Sequence, residues 1–290
     1  MTISATVLAD SVHTLGPRPQ RIITVEARFP RAVLPQLGTH RVFSKSAASS
    51  RAIPFERMIA DVLRDTAVPS FWGANRAGMS ATEEMGEDAR TAALTAWLGA
   101  RDTAIAHARR LAALGLHKQS VNRLIEPFAH TTVLITATDW ANFFALRKHH
   151  AAQPELQSLA IAIFEAQAAS TSVDRTNLKG IDRWHLPMID DDERHTLMGA
   201  ALKVCAARTA RISYANHFGI RDFNSDIVLH DRLLKEGHWS PMEHAALPFR
   251  QPWWKRWTGH EDRVGNLSGW SSYRKQFANE HPYTPGQVEP

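Results

Sequence analysis

The chain has 290 residues, 44% of them hydrophobic and 22% charged, with a formal net charge of +5. That length supports one large domain or two modest ones with a proper core, and the charge suits an anionic small molecule as well as nucleic acid, so it excludes neither. One cysteine, Cys205, rules out an intrachain disulfide and any cysteine-built zinc or iron–sulfur site, and reads as a cytoplasmic protein. The opening MTISATVLADSVHTLGPRPQ lacks the basic-then-apolar order of a signal peptide. No apolar run reaches the roughly 18 residues of a membrane span, so no membrane partner is expected.

In chain order, RIITVEARFPR (21–31) alternates apolar and polar residues and predicts a strand. AVLPQLGTHRVF (32–43) holds Pro35 and Gly38 and reads as a short helix or an irregular approach to a serine-rich loop. IPFERMIADVLRDT spaces Phe55, Met58, Ile59, Val62 and Leu63 helically behind Pro54. FWGANRAGMSA (71–81) reads as a loop, and 87–117 as a long Ala-rich helix ending at Gly115. KQSVNRLIEPFAHTTVLITATDW predicts a short helix to about Glu126, a break at Pro127 and a β-branched run. WANFFALRKHH and PELQSLAIAIFEAQAAS read as two further helices or turns, with Pro154 opening the second. Residues 173–196, dense in Asp, Gly and Pro, read as a surface connection. DERHTLMGAALKVCAARTARISYA predicts a helix running into an extended piece. DIVLHDRLLKEGHWSPMEHAALPF predicts a helix stopped at Gly237, a turn at Ser240–Pro241 and a strand through Phe249. The segment 253–290 is an aromatic, basic extension holding Trp253, Trp254, Trp257 and Trp270. The fold class is α/β (α+β), a mixed sheet with a central helical block in a single domain 1–290.

Four stretches could hold chemistry. THRVFSKSAASSRAIP (39–54) packs His40, Arg41, Lys45 and Arg51 among Thr39, Ser44, Ser46, Ser49 and Ser50. Small residues let backbone N–H groups approach a ligand, and arginine grips phosphate bidentately, so the stretch reads as an anion site or as a solvated helix cap. In NFFALRKHH, Asn142 and Arg147 either hold a ligand or belong to an amphipathic helix with a surface arginine. In HWSPMEH, His238 and His244 stand six apart with Pro241 between them, so they share no helix face and no metal site is expected. That segment reads as a tight turn with Ser240 and Glu243 satisfying backbone donors. Cys205 lies among Ala, Val and Leu and reads as a buried, inert thiol.

Together these segments resemble the flavin-dependent thymidylate synthases. That family's signature, Arg-His-Arg, seven residues, Ser, and Arg two positions on, resembles Thr39-His40-Arg41 through Ser49 and Arg51. TATDWANFFALR is similar to the helix that bears the family's Asn and substrate-activating Arg, here Asn142 and Arg147. ARISYANH is similar to its A-R-x-S segment, giving Ser213, and GHWSPMEHAALPF to its G-H-x-[ST]-P-x-E-H segment. The last segment precedes the signature in the usual member and follows it here, so the order looks circularly permuted. The resemblance implies a homotetramer with FAD at subunit junctions. It implies C5-methylation of a uridine monophosphate, with carbon from methylenetetrahydrofolate, hydride from reduced flavin, and NADPH reducing the flavin.

Carried over by position, Gln36, Ser49, Arg51 and Arg123 would bind the nucleotide. Arg147 would sit by the uracil carbonyl and stabilise charge on the ring. His40, Arg41, Asn142 and Ser240 would contact FAD, with His238 and Ser213 as further flavin contacts. The pattern departs at Thr39, where the first Arg belongs, with Arg31 or Arg274 as compensating cations. It also departs at Ser46-Ala47, where many members have Asn-Glu. The lost carboxylate leaves room for a ribose 2′-OH, so the substrate is dUMP or, as in the UMP C5-methylase branch of nucleoside-antibiotic biosynthesis, UMP. The reading from a different class is a single-stranded nucleic-acid-binding module built on the basic aromatic C-terminus; under the enzyme reading no nucleic-acid partner is expected.

Overall fold

The computed structural model describes residues 3–212, 222–250, 265–278 and 280. Its frame is a five-stranded sheet in the order β3-β4-β2-β1-β5, built from β1 (Ser4–His13), β2 (Gln20–Pro30), β3 (Ser44–Ala47), β4 (His130–Ala137) and β5 (Val173–Asp174). All pairings are antiparallel except that of β1 with β5. The helices are α1 (Leu34–Gly38), α2 (Phe55–Arg64), α3 (Glu87–Ala113), α4 (Lys118–Val121), α5 (Ala141–Arg147), α6 (Pro154–Ala169), α7 (Asp191–Leu197), α8 (Ala200–Ala210) and α9 (Phe223–Lys235). A small ribbon pairs β6 (Ala246–Pro248) with β7 (Trp270–Ser272). This is the mixed α/β class expected from the sequence. No helix among the described residues is long and apolar enough to cross a membrane.

The two sheet faces differ in chemistry. On one, Ile23, Val25, Ala27 and Phe29 of β2 join Val133, Ile135 and Ala137 of β4, and Phe143 of α5 and four α6 residues cover them. Period-two alternation in β2 and β4 delivers this face. The opposite face carries Ile22, Thr24, Leu134 and Thr136. Leu134 packs on Ala48 and Ile212, and Ile22 on Ala246, Leu267 and Trp270. A bulge between Val7 and Ala9 alters the register of β1 against β2. Before it Val7 pairs with Val25 of the helix-covered face; after it Ser11 pairs with Ile22 of the other. One extra residue thus reverses the alternation and turns Ser11 and His13 toward the polar face.

The C-terminal segment is tied down on that face. His13 Nε2 donates to the Gly269 carbonyl at 2.6 Å, and Trp270 is fully buried. Gly269 has φ +75°, and a Cβ there would lie 2.6 Å from the Gln20 side chain, so only glycine lets the chain close on β2.

Four expectations are corrected. The N-terminal stretch, read only for targeting, forms β1. The serine-rich loop contains a strand, β3, because β4 offers Leu134 and Ile135 as backbone partners to a Ser-Lys-Ser-Ala segment with no strand signal of its own. The 173–196 segment is a surface connection only in part: Arg175, His185 and Arg194 are buried beside Leu186 and hydrogen-bond Ser11, Thr24 and the Ile181 carbonyl. The helix expected from Asp192 onward breaks at Met198, whose φ is +48°, and divides into α7 and α8. The break lets α7 fold back so that Glu193 takes both Arg208 nitrogens at 2.7 Å.

Arg208 also reaches Asp226 of α9 at 3.4 Å, and all three side chains are at least nine-tenths buried. Replacing Arg208 with Ala takes this cation away from buried Glu193, while Asp226 keeps Arg211 at 2.6 Å. The variant should lose about 3–5 kcal/mol, read as a lower urea midpoint; an unchanged midpoint would show that the cluster does not hold α7, α8 and α9 together.

Candidate active site

The signature stretch runs along the edge of the sheet and presents two ends. At the first, α1 ends beside Thr39, and His40 is buried against Phe43 (centroids 5.7 Å apart, stacked) and edge-on to Phe143 (5.0 Å). Phe143 and Arg147 lie one turn apart on α5, which brings the guanidinium to the same spot. Arg147 Nε donates to His40 Nε2 at 3.0 Å, and Arg147 Nη2 reaches Thr39 Oγ1 at 3.4 Å. A guanidinium only donates, so His40 is neutral with its proton on Nδ1. Burial first, then the charges of Arg147 and Lys45, hold this imidazole below its ordinary value. Lys45 donates to the His40 carbonyl at 2.6 Å, and burial lowers its own pKa against the pull of Glu243. Gln36 hydrogen-bonds Gln153 next to this corner. Arg31 and Arg274, the cations expected to compensate for Thr39, are engaged elsewhere, with Glu126 and Glu243.

The second end gathers around Glu126. Its carboxylate takes Arg31 (3.1 Å), Arg123 (2.9 Å) and the Ser50 hydroxyl, while Asn122 Nδ2 donates to the Ser50 carbonyl at 2.7 Å. This cluster fixes the backbone that displays half-buried Ser49 and exposed Arg51. Arg123 therefore shares this end with Ser49 and Arg51. Arg41 is exposed beside His40.

Other expected residues fall differently. Asn142 is exposed on α5 and five positions from Arg147, about 140° around the helix, so the two do not face one spot. Ser240 opens a 3-10 turn, Ser240–Glu243, that packs beside β3. His238 is exposed, 3.4 Å from Glu236. Ser213 lies outside the described residues, as do Trp253, Trp254 and Trp257. Trp270 is core rather than a stacking platform, which removes one aromatic from the nucleic-acid reading. Glu243 pairs with Arg274 at 2.6 Å instead of capping its turn. Cys205 is fully buried, donates to the Pro187 carbonyl at 2.8 Å, and is pushed up to about 12, an inert thiol.

The sequence reading missed a buried polar row on the face behind β3. From the signature strand inward it runs Ser46 Oγ to His244 Nε2 (3.0 Å), His244 Nδ1 to Thr136 (2.8 Å), and Thr136 to Thr24 (2.7 Å). It continues from Thr24 to His185 Nε2 (2.7 Å), from His185 Nδ1 to Ser11 (3.0 Å), and from Ser11 to Arg175 Nε (3.2 Å). Burial carries His244 down to about 3, and it also holds His185 well below its ordinary value. Asn266 was missed too: its amide donates to the Val42 carbonyl (3.2 Å) and to Ser44 Oγ (3.1 Å), laying the C-terminal segment on the signature. Thr24 and Thr136 are visible in sequence only as threonines within β-branched strands, and nothing there marks them as partners.

A model of the thymidylate synthase complementing protein family matches residues 14–170. The chain belongs to that family. It is accordingly an enzyme of methyltransferase type. The matched span holds the signature, Arg123 and Arg147, while the HWSPMEH segment lies outside it and reaches β3 through His244. No curated protein matches the chain. Among solved structures it is similar to the UMP/dUMP methylase PolB from Streptomyces cacaoi bound with 5-Br dUMP, at 16% identity and TM-score 0.48, over 58% of this chain and 90% of that one. The same methylase bound with 5-Br UMP aligns at 16% identity and TM-score 0.45, over 58% and 89%.

Replacing Arg147 with Met removes a cation and frees His40 Nε2. The His40 titration, followed by NMR, should move upward while staying below the ordinary histidine value, because burial, the largest cause, persists. A titration that does not move would detach Arg147 from His40.

Proposed function

We propose that the protein methylates C5 of a uridine monophosphate, with methylenetetrahydrofolate giving the carbon, reduced FAD the hydride, and NADPH reducing the flavin. The observation that carries the reading is the cationic corner at Thr39–Arg41. Within the family-matched span, Arg147 and Lys45 surround a neutral, ring-stacked His40, and Arg41 is exposed beside it. That donor set fits a ligand that combines phosphate with an aromatic ring, as FAD and the nucleotide both do.

In this reading Ser49 and Arg51 bind the nucleotide phosphate, with Gln36 helping. Arg123 joins them when phosphate competes with Glu126 for its guanidinium. Arg147 fixes the uracil and stabilises the charge that grows on the ring as C5 becomes nucleophilic, a fixed cation acting without reorganisation. His40, Arg41 and Ser240 line the flavin side, and Asn142, Ser213 and His238 complete it, from a neighbouring subunit of a homotetramer where one chain does not bring them together. When bound there, reduced flavin would supply the hydride that turns the transferred one-carbon unit into a methyl group. The segment order is a permutation of the usual one, consistent with His244 reaching β3 from outside the matched span. The setting is the cytoplasm.

The purified protein should be yellow, with a flavin spectrum, and should turn over dUMP or UMP when given methylenetetrahydrofolate and NADPH. Arg147→Ala should keep the flavin and lose about 10²–10³ in kcat; full turnover in that variant would end its catalytic assignment, and inactivity of the parent with both nucleotides would end the reading.

Ala47 is exposed at the end of β3, where a carboxylate would meet the sugar. Ala47→Glu should cut kcat/KM for UMP relative to dUMP by about tenfold, and an unchanged ratio would remove Ala47 from sugar selection.

A further inference from the structure

The buried row behind the signature strand has a direction, and its direction sets what Ser46 offers a ligand. Ser11, His185, Thr24, Thr136 and His244 are all fully buried, and Ser46 is half-buried at the strand edge. The two imidazoles are neutral, so each donates from one nitrogen and accepts at the other. Each of the six side chains has one hydrogen to give, and five links join them, so one hydrogen is left over. Inside the row it would be stranded on a buried threonine or would need an imidazole that accepts twice, so it lies at one end.

Arg175 decides which end. Its guanidinium donates to Ser11 Oγ and cannot accept. If the row donated inward, from Ser46 toward Ser11, the Ser11 hydroxyl hydrogen would be stranded in the core. Among the described residues the only partners of Ser11 Oγ are Arg175 and His185. A stranded buried donor is costly. Donating outward leaves nothing stranded: Ser11 to His185 Nδ1, His185 Nε2 to Thr24, Thr24 to Thr136, Thr136 to His244 Nδ1, and His244 Nε2 to Ser46. The surplus hydrogen is then on Ser46 Oγ, at the edge where the signature faces a ligand. Because Arg175 holds the far end as a donor, the row does not conduct protons; it is a polarised clamp.

We propose that Ser46 is a dedicated hydrogen-bond donor to an acceptor oxygen of the nucleotide, with His244, Thr136 and Thr24 as positioning residues that keep its hydrogen pointing outward. This rests on the uridylate reading of the same site. Ser46 lies on β3 between the cationic corner and Ser49, one residue from Ala47, so a molecule spanning both ends of the signature passes it.

Two measurements test the proposal. The first is the tautomer of His185 and His244 in the whole protein at pH 7, by ¹⁵N NMR, with the rings assigned through contacts to the Thr24 and Thr136 methyl groups. Both should carry hydrogen on Nε2. Hydrogen on Nδ1 of His244 overturns the polarity. The second is steady-state kinetics with dUMP and with UMP. Ser46→Ala should raise KM about tenfold with little change in kcat, the loss of one ground-state hydrogen bond. Thr24→Val, remote from the ligand and close in volume, should raise KM similarly, add little on top of Ser46→Ala, and mix the His244 tautomers; Thr24→Ser should restore both readouts. Equal loss for the two nucleotides assigns an oxygen they share, and loss confined to UMP assigns the 2′ oxygen. Fully additive effects, or an unchanged KM in Ser46→Ala, overturn the proposal. A parent protein that binds neither nucleotide ends the uridylate reading and the role of Ser46 toward it, while the tautomers still decide the direction of the row.

Discussion

The contact on which the site depends is the pair of hydroxyls at the centre of the sheet, Thr24 on β2 and Thr136 on β4, 2.7 Å apart and fully buried. They face each other because β2 and β4 pair in a register that sets Thr24 opposite Thr136. Two hydroxyls in a core are tolerable only if both are satisfied on both sides. That requirement recruits His185 and His244 from the C-terminal half and so draws distant chain segments onto one face. The bulge in β1 is part of the same solution, since without it Ser11 would point into the helix-covered core and His185 would lose a partner.

The other face works by ordinary burial, and the division of labour follows. Helices α5 and α6 cover an aliphatic surface, and packing there fixes Phe143, hence the turn of α5 that ends in Arg147. Cations then collect where the two regimes meet, at the sheet edge formed by β3. An edge strand leaves one side of its backbone open, and this one is also polar and short, so it has little to bury and much to offer a ligand. The stabilising clusters around it, Glu126 with Arg31 and Arg123 at one end and His40 with Arg147 at the other, hold the ends of the strand and leave its middle to the histidine behind it.

The sequence was legible where period and propensity agree. β2 and β4 alternate β-branched residues, and α2, α3 and α6 show helical spacing with a Pro or Gly at an end, so these elements fall where the pattern puts them. β3 was illegible because its partner, not its own residues, makes it a strand. The 173–196 segment misled because polarity was taken for exposure; Arg175 and His185 are polar and buried because Ser11 and Thr24 await them, a pairing between residues more than 150 positions apart. For the candidate site, the family pattern pointed to His40, Arg41, Ser49, Arg51 and Arg147, which the fold sets along one sheet edge in two groups. Nothing local separates His244, which completes the support of β3, from exposed His238 in the same short segment.

The chemistry is constrained by what the fold does with its one thiol. Making C5 of a uracil nucleophilic can proceed by adding a nucleophile to the ring, and cysteine is the natural one. Cys205 is unfit for it: fully buried, hydrogen-bonded to a carbonyl, and with its pKa pushed up to about 12, it holds no thiolate at neutral pH. The alternative is to stabilise the ring's own charge, which calls for fixed cations in a partly dry setting. The corner at His40 holds two, Arg147 and Lys45, and its imidazole stays neutral through burial first and those charges second, so it accepts from Arg147 instead of repelling it. A neutral histidine holding an arginine in place is therefore what the proposed reaction needs from a chain whose thiol is inert.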